Sequence, residues 1–202
     1  MKPETLSSKH LANAVEQMSK LPGVGFKTAL RHILHLLNHP SQLENFIESL
    51  NNLKKIKRCK ICHNLSDNDI CEICADKKRD HSTICVVEDV KDIIAIENTH
   101  QYHGVYHVLG GLISPIDGIA PENLNINSLE KRIQQNSIKE IIFALNTTME
   151  GDTTAFYLFR TLKKYNVKIT SIARGIGFGD EIEYTDEITL AKALENRTEF
   201  KE

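Results

Sequence analysis

Apolar residues recur at helical spacing along the first part of the chain. Leu11, Ala14, Val15 and Met18 fall at i, i+3, i+4 and i+7, which predicts a helix over residues 6–18. Leu30, Ile33, Leu34 and Leu37 repeat that spacing in a second helix. Leu43, Phe46, Ile47 and Leu50 give one apolar face to a third, over about 40–53, opened by Pro40-Ser41. Between the first two, Leu21-Pro22-Gly23-Val24-Gly25 stops one helix and turns the backbone sharply into the next. The pattern then changes to short continuous apolar runs separated by helical stretches. Residues 83–87 read as a strand buried on both faces, and 105–108, 140–145 and 168–173 read as further strands. Val90, Ile93 and Ile94 start a helix, Leu129 and Ile133 mark one near 127–135, and Ala155, Leu158, Phe159 and Leu162 mark another. A long irregular stretch runs from Gly110-Gly111 to Pro121, and residues 146–152 read as a polar loop. The alternation predicts a small α/β domain with a mainly parallel sheet.

Four cysteines lie between the two patterns. Cys59, Cys62, Cys71 and Cys74 form two C-x-x-C pairs separated by eight residues, on either side of the polar turn Ser66-Asp67-Asn68-Asp69. Each pair can present two thiolates on one face of a tight knuckle, and the turn folds the second knuckle onto the first. Four thiolates close a tetrahedral zinc shell with no open position for substrate, so one zinc per chain is expected in a structural role. Two redox pairs are the poorer reading, because such a pair usually opens a helix after a strand and seldom comes doubled.

Composition narrows the setting. The chain has 202 residues, 41% hydrophobic and 26% charged, as in ordinary globular proteins. No apolar run is long enough to span a bilayer, and Met1-Lys2-Pro3-Glu4 lacks the apolar region of a secretory signal. Cysteines used for metal, with Cys85 in an apolar run as a core residue, point to a reducing, cytoplasmic setting. Charge is uneven. Residues 1–60 carry ten Lys and Arg against four Asp and Glu, a formal +6, which leaves −8 for the rest of a chain whose total is −2. A basic front and an acidic back suit different partners, and are equally consistent with solvated surface.

Two further groups carry candidate chemistry. The helix–hairpin–helix leaves backbone N–H groups free at the start of its second helix, where the helix dipole also favours an anion. Lys20, Lys27 and Arg31 stand close enough to supplement them, and Gly23 and Gly25 leave room for a phosphate backbone to approach. The expected ligand is DNA, read without regard to sequence. Basic residues at 54–58 extend that surface, or complement a helix end. In the α/β part, Glu88 follows the first strand, and Glu150-Gly151-Asp152 lies in the loop after the third. Ligands gather at the carboxyl ends of such strands. Two carboxylates flanking a glycine can face one magnesium ion, with Glu88 beside them as acid or base. The alternative is that these carboxylates simply begin helices.

The acidic arrangement resembles a Toprim domain, the magnesium-binding module of topoisomerases and primases. Together with the hairpin and the four-cysteine ribbon before it, the chain is similar to the bacterial RecR family of recombination mediators. Ile172-Ala173-Arg174-Gly175-Ile176-Gly177-Phe178-Gly179 and Glu183-Tyr184-Thr185-Asp186-Glu187 resemble that family's C-terminal signature. Phe26 and Gly177 stand where the family often has proline, and Asp152 where it usually has glutamate. The resemblance implies a hairpin region over 1–56, a zinc finger over 57–80, a Toprim domain over 81–173 and an oligomerisation segment over 174–202. It further implies a non-enzymatic, nucleoid-associated protein that binds single- and double-stranded DNA. Such proteins form a ring-shaped homotetramer or a dimer, and work with RecO and RecF to load RecA onto DNA coated by single-strand-binding protein. A magnesium-dependent Toprim nuclease or primase-like enzyme is the alternative. No G-x-x-x-x-G-K-[ST] loop offers nucleotide hydrolysis.

Overall fold

The computed structural model describes residues 6–199, so the N-terminal tetrapeptide considered above lies outside the described residues. The chain forms two compact units that divide between Ile56 and Lys57. The first is built from α1 (Lys9–Ser19), α2 (Phe26–Leu37) and α3 (Pro40–Asn52), the last followed by a single 3-10 turn at Leu53–Lys55. Ser8 caps α1 by accepting the Leu11 N–H at 3.3 Å. Pro40 occupies the first turn of α3, where its missing N–H costs nothing. Val15 and Ala29 are fully buried where α1 meets α2. The apolar face expected on α3 is present but uncovered: Phe46, Ile47 and Leu50 are 40–48% exposed. Three short helices enclose too little volume to bury every apolar stripe they carry.

The second unit opens with a two-stranded antiparallel ribbon, β1 (Lys57–Arg58) and β2 (Leu65–Ser66), and the one-turn helix α4 (Glu72–Ala75). It continues as β3 (Asp80–Val87), α5 (Val90–Glu97), β4 (Gly104–Val108), α6 (Ile126–Gln135), β5 (Glu140–Ala144), α7 (Met149–Leu162), β6 (Lys168–Ser171) and α8 (Glu187–Glu195). The four long strands form one parallel sheet in the order β4-β3-β5-β6. Alternate residues of β3 serve two cores. Ile84 and Val86 join Leu129 and Ile133 of α6 and Leu158 and Leu162 of α7, whereas Cys85 and Val87 join Ile93 of α5. Burial on both faces explains why the second half of β3 reads as an unbroken apolar run, whereas the edge strand β6 is only partly buried. Among the described residues no helix is long and apolar enough to cross a membrane.

Several boundaries differ from the sequence reading. β3 starts three residues early, across a register shift beside β4, and Asp80 there accepts from Ser82 N at 2.8 Å and from Ser82 Oγ and Thr83 Oγ1 at 2.6 Å. Those donors hold its carboxyl at about 2. The irregular stretch after β4 folds back through a Ser114–Ile119 bridge and buries Leu109, Ile113 and Leu124. Thr154 Oγ1 fixes it by accepting the Ile113 N–H at 2.9 Å. On α7 the inward face is Gly151, Thr154, Leu158 and Leu162, while Phe159 is exposed.

A polar cluster ties the start of β3 to α5 and β4. Arg79 donates from both terminal nitrogens to Glu97, at 2.9 Å for Nη1 to Oε1, and Tyr106 Oη donates to the same Oε1 at 2.6 Å. Arg79 holds the Glu97 carboxyl below its ordinary range. A lowered carboxyl stabilises the fold above its unfolded value, and that stabilisation is lost as pH falls through the lowered one. Glu97→Gln is therefore expected to cost about 2 kcal/mol at neutral pH, with the deficit against wild type shrinking in acid. Urea melts at neutral and acid pH measure both, and a deficit independent of pH would contradict the linkage.

Candidate metal centre and nucleic-acid interface

The four cysteines converge. Cys59, Cys62, Cys71 and Cys74 are all buried, and their sulfurs lie within 4.8 Å of one another. The first knuckle closes through Cys59 N to Asn64 O at 2.8 Å and His63 N to Cys59 O at 3.0 Å. His63 takes a left-handed conformation, φ 65°, to make the reversal. In the second, Cys71 caps α4 and Ala75 N donates to Cys71 O at 3.0 Å. The polar turn clamps one knuckle to the other: Asp69 O accepts Lys60 N at 2.9 Å, and the Asp69 carboxylate accepts Lys57 Nζ at 3.2 Å and Lys60 Nζ at 2.6 Å.

Sulfur chemistry fits a tetrahedral cation. Cys62 Sγ and Cys71 Sγ are 3.5 Å apart, far beyond a disulfide and close to the ~3.8 Å edge of a tetrahedron of four sulfurs with ~2.3 Å bonds to zinc. Cys71 N donates to Cys59 Sγ at 3.3 Å. Neighbouring S–H groups lower the Cys71 thiol by hydrogen-bonding to it, while Cys62 and Cys74 are raised in keeping their protons beside it. The cluster sheds its first proton readily and resists the next, the situation a dication resolves. Cys85 stands apart in the sheet, its thiol pushed up to about 12 by burial, as a core residue.

The ribbon is also fastened to the α/β body. Val108 N at the end of β4 donates to Cys62 O at 2.8 Å, and His63 Nε2 bonds Ser128 Oγ of α6 at 2.7 Å. His107, in β4, meets the His63 ring edge-on at 5.3 Å between centroids. Its Nε2 donates to Asn125 O at 2.9 Å, and burial pushes it down to about 3. Neither histidine stood out in the sequence, because a lone His in an apolar strand signals nothing by spacing.

In the hairpin, Gly23 has φ 76°, which favours glycine, and Gly25 caps α2 with open space where a side chain would stand. No side chain caps the first N–H groups of α2. Lys20, Lys27 and Arg31 are all exposed. Lys20 pairs with Glu16 at 3.2 Å, whereas Lys27 and Arg31, one turn apart on α2, have no carboxylate partner among the described residues. An uncapped helix start flanked by two unpaired cations is suited to a phosphate.

The acidic group is arranged otherwise than expected. Residues 149–152 belong to α7 rather than a loop: Thr148 caps the helix by accepting Gly151 N at 3.1 Å, and Glu150 and Asp152 fall in its first turn. Positions two apart on a helix point in different directions, so these carboxylates do not face one cation across the glycine. Gly151 answers a different need, since an added Cβ would lie 1.9 Å from Asn146 O. Asp152 is held by Arg174 Nη1 at 2.5 Å and Lys192 Nζ at 3.9 Å, and Glu88 accepts Asn146 Nδ2 at 2.6 Å. Among the described residues, the four cysteines form the one group of three or more His, Cys, Asp or Glu placed to share an ion.

Comparison with known proteins agrees with this order of parts. Four family models match in succession: the RecR helix-hairpin-helix over residues 11–53, the RecR four-cysteine zinc finger domain over 56–76, a Toprim domain over 82–173 and the RecR C-terminal region over 175–198. The chain is 56% identical to the Recombination protein RecR of Parabacteroides distasonis, covering 94% of this chain and 92% of that one. It is 53% identical to the protein of the same name in Flavobacterium johnsoniae, with 96% of each chain covered. For that of Bacteroides fragilis the identity is 54%, over 98% of this chain and 96% of the other. The clustered cysteines are thus those of the family's zinc finger.

Structural zinc contributes on the order of 10 kcal/mol to such small modules. Protein purified without chelator is expected to carry one zinc per chain by elemental analysis. Cys59→Ala or Cys71→Ala should lose it and lower the unfolding temperature or solubility. A wild-type protein free of stoichiometric zinc would reject the assignment.

Proposed function

Because the chain belongs to the RecR family of recombination proteins, we propose that it is a non-enzymatic DNA-binding mediator of recombinational repair in the bacterial cytoplasm. The observation that carries this reading is the start of α2, uncapped, open in front of Gly25 and flanked by unpaired Lys27 and Arg31. It offers N–H groups and charge to a phosphate backbone and nothing that reads a base, so single- and double-stranded DNA are both ligands. Lys20 takes part once its pairing with Glu16 is exchanged for phosphate.

The rest of the reading follows the family. Residues 1–56 bind DNA, 57–80 form the zinc finger, 81–173 form the Toprim domain, and 174–202 take part in self-association. Exposed Phe46, Ile47 and Leu50 on α3, and Phe178, Ile182 and Ile188 near the C-terminus, support assembly into a dimer or a ring-shaped homotetramer. With RecO and RecF the protein assists the loading of RecA onto single-strand-binding-protein-coated DNA. The Toprim carboxylates serve association rather than chemistry. Glu150 presents a negative charge to a basic partner, and Asp152 is already neutralised by Arg174 and Lys192. Among the described residues no three acidic side chains converge here, so a magnesium ion at this position would rest on one or two carboxylates together with water or phosphate.

Lys27→Ala with Arg31→Ala should weaken binding to unrelated DNA sequences alike and flatten the slope of log affinity against log salt by about two units. An unchanged slope would place DNA elsewhere. Wild-type protein with magnesium or manganese should leave single-stranded, nicked and supercoiled DNA intact. Metal-dependent cutting that disappears in Glu88→Ala would establish the nuclease reading instead. Glu150→Lys with Asp152→Lys should weaken RecO binding in a titration, and undiminished binding would remove the docking role from these carboxylates.

A further inference from the structure

Within the second unit, a cavity of about 430 Å³ lies between the zinc ribbon and α6. That falls in the range of small-molecule sites, about 300–1,000 Å³. Lys60, His81, Lys131, Arg132, Gln135 and Asn136 border it, and no carboxylate does. Lys60 is balanced by Asp69 at 2.6 Å, but neither Lys131 nor Arg132 has a carboxylate partner among the described residues.

Arg132 is the unusual member. It is only 8% exposed, and its one recorded acceptor is Tyr106 O, 2.6 Å from Nη1. A guanidinium carries five N–H donors. Among the described residues the single buried side-chain polar atom with neither partner nor solvent is His107 Nδ1. The remaining guanidinium nitrogens therefore keep solvent contact, and the cavity is the space that Arg132 borders. A nearly buried cation bordering an acid-free cavity, with a second unpaired cation one residue away, is suited to an oxyanion. Gln135 adds an amide able to meet the edge of a base, Asn136 adds its Oδ1 while its Nδ2 donates to Arg132 O at 2.8 Å, and Ile61 and Ile138 add apolar wall.

The geometry points to a second phosphate site, separate from the hairpin, in which Lys131 and Arg132 hold the phosphate of a nucleotide and the amide and apolar walls receive the remainder. The phosphate can belong to a free mononucleotide or to a DNA strand. A competing role for these cations is to balance the zinc centre, where four thiolates and one dication leave a net −2 beside Cys74. The two roles separate experimentally, because one loses ligand and the other loses zinc.

The test uses zinc-loaded, full-length protein carrying Lys27→Ala and Arg31→Ala, so that the hairpin contributes nothing. Calorimetric titration with thymidine monophosphate is expected to show one site per chain, displaced by inorganic phosphate, with no response to thymidine. Lys131→Glu and Gln135→Glu, both exposed substitutions, should each weaken it about tenfold or more while zinc stays at one per chain. Competition by an oligothymidylate identifies the source. Displacement only by a 5′-phosphorylated strand assigns a DNA end, displacement by either strand assigns the backbone, and displacement by neither assigns the free nucleotide. Four results would overturn the proposal: no binding of the monophosphate at millimolar concentration, binding unaffected in both variants, loss of zinc rather than of ligand in Lys131→Glu, or capture of a Glu-rich peptide with indifference to phosphate.

Discussion

Four thiols packed within 4.8 Å of one another cannot all be ionised without a cation among them. That constraint organises the chain. The ribbon has no side-chain core apart from its cysteines and partly buried Ile61 and Ile73. Metal–sulfur bonding therefore does for residues 57–76 what apolar burial does for the sheet. Because the first knuckle is bonded to β4 and α6, order in the ribbon and order along that side of the sheet depend on each other.

Spacing made the ribbon legible in the sequence. C-x-x-C twice over, across a polar turn, encodes geometry directly, and the turn proved to work through Asp69 as the clamp between knuckles. Helical and strand periodicities placed α1 to α3, the four strands of the sheet and its crossover helices, because those helices carry clear stripes and the central strands are buried. Helix α8 was not read from its spacing. Legibility ended where a residue's role depends on a partner distant in sequence. Glu150-Gly151-Asp152 has the composition of a turn, and only Thr148, as a cap followed by acids, hinted at a helix start. Nor could spacing reveal that Gly151 is required by Asn146 O, or that Asp152 is met by Arg174.

The two charged regions differ in how their charges are spent. On α2, Lys27 and Arg31 stand unpaired, so their field reaches outward. At the end of the sheet the carboxylates are partly satisfied from within: Glu88 by an amide, Asp152 by two cations of the C-terminal segment. The contrast is between a basic surface whose charges are unpaired and an acidic one in which Asp152 alone is paired with cations.

The bond from Val108 N to Cys62 O carries one more implication. Val108 is fully buried at the end of β4, yet its amide proton is retained by a carbonyl of the metal knuckle and not by a neighbouring strand. Its exchange with solvent deuterium is then governed by two openings, that of the sheet and that of the ribbon. One backbone amide of the α/β body, bonded to the carbonyl of a metal ligand, is thus expected to report whether the metal is in place. Removal of the ion is expected to speed exchange at Val108 while amides at the centre of the sheet stay protected.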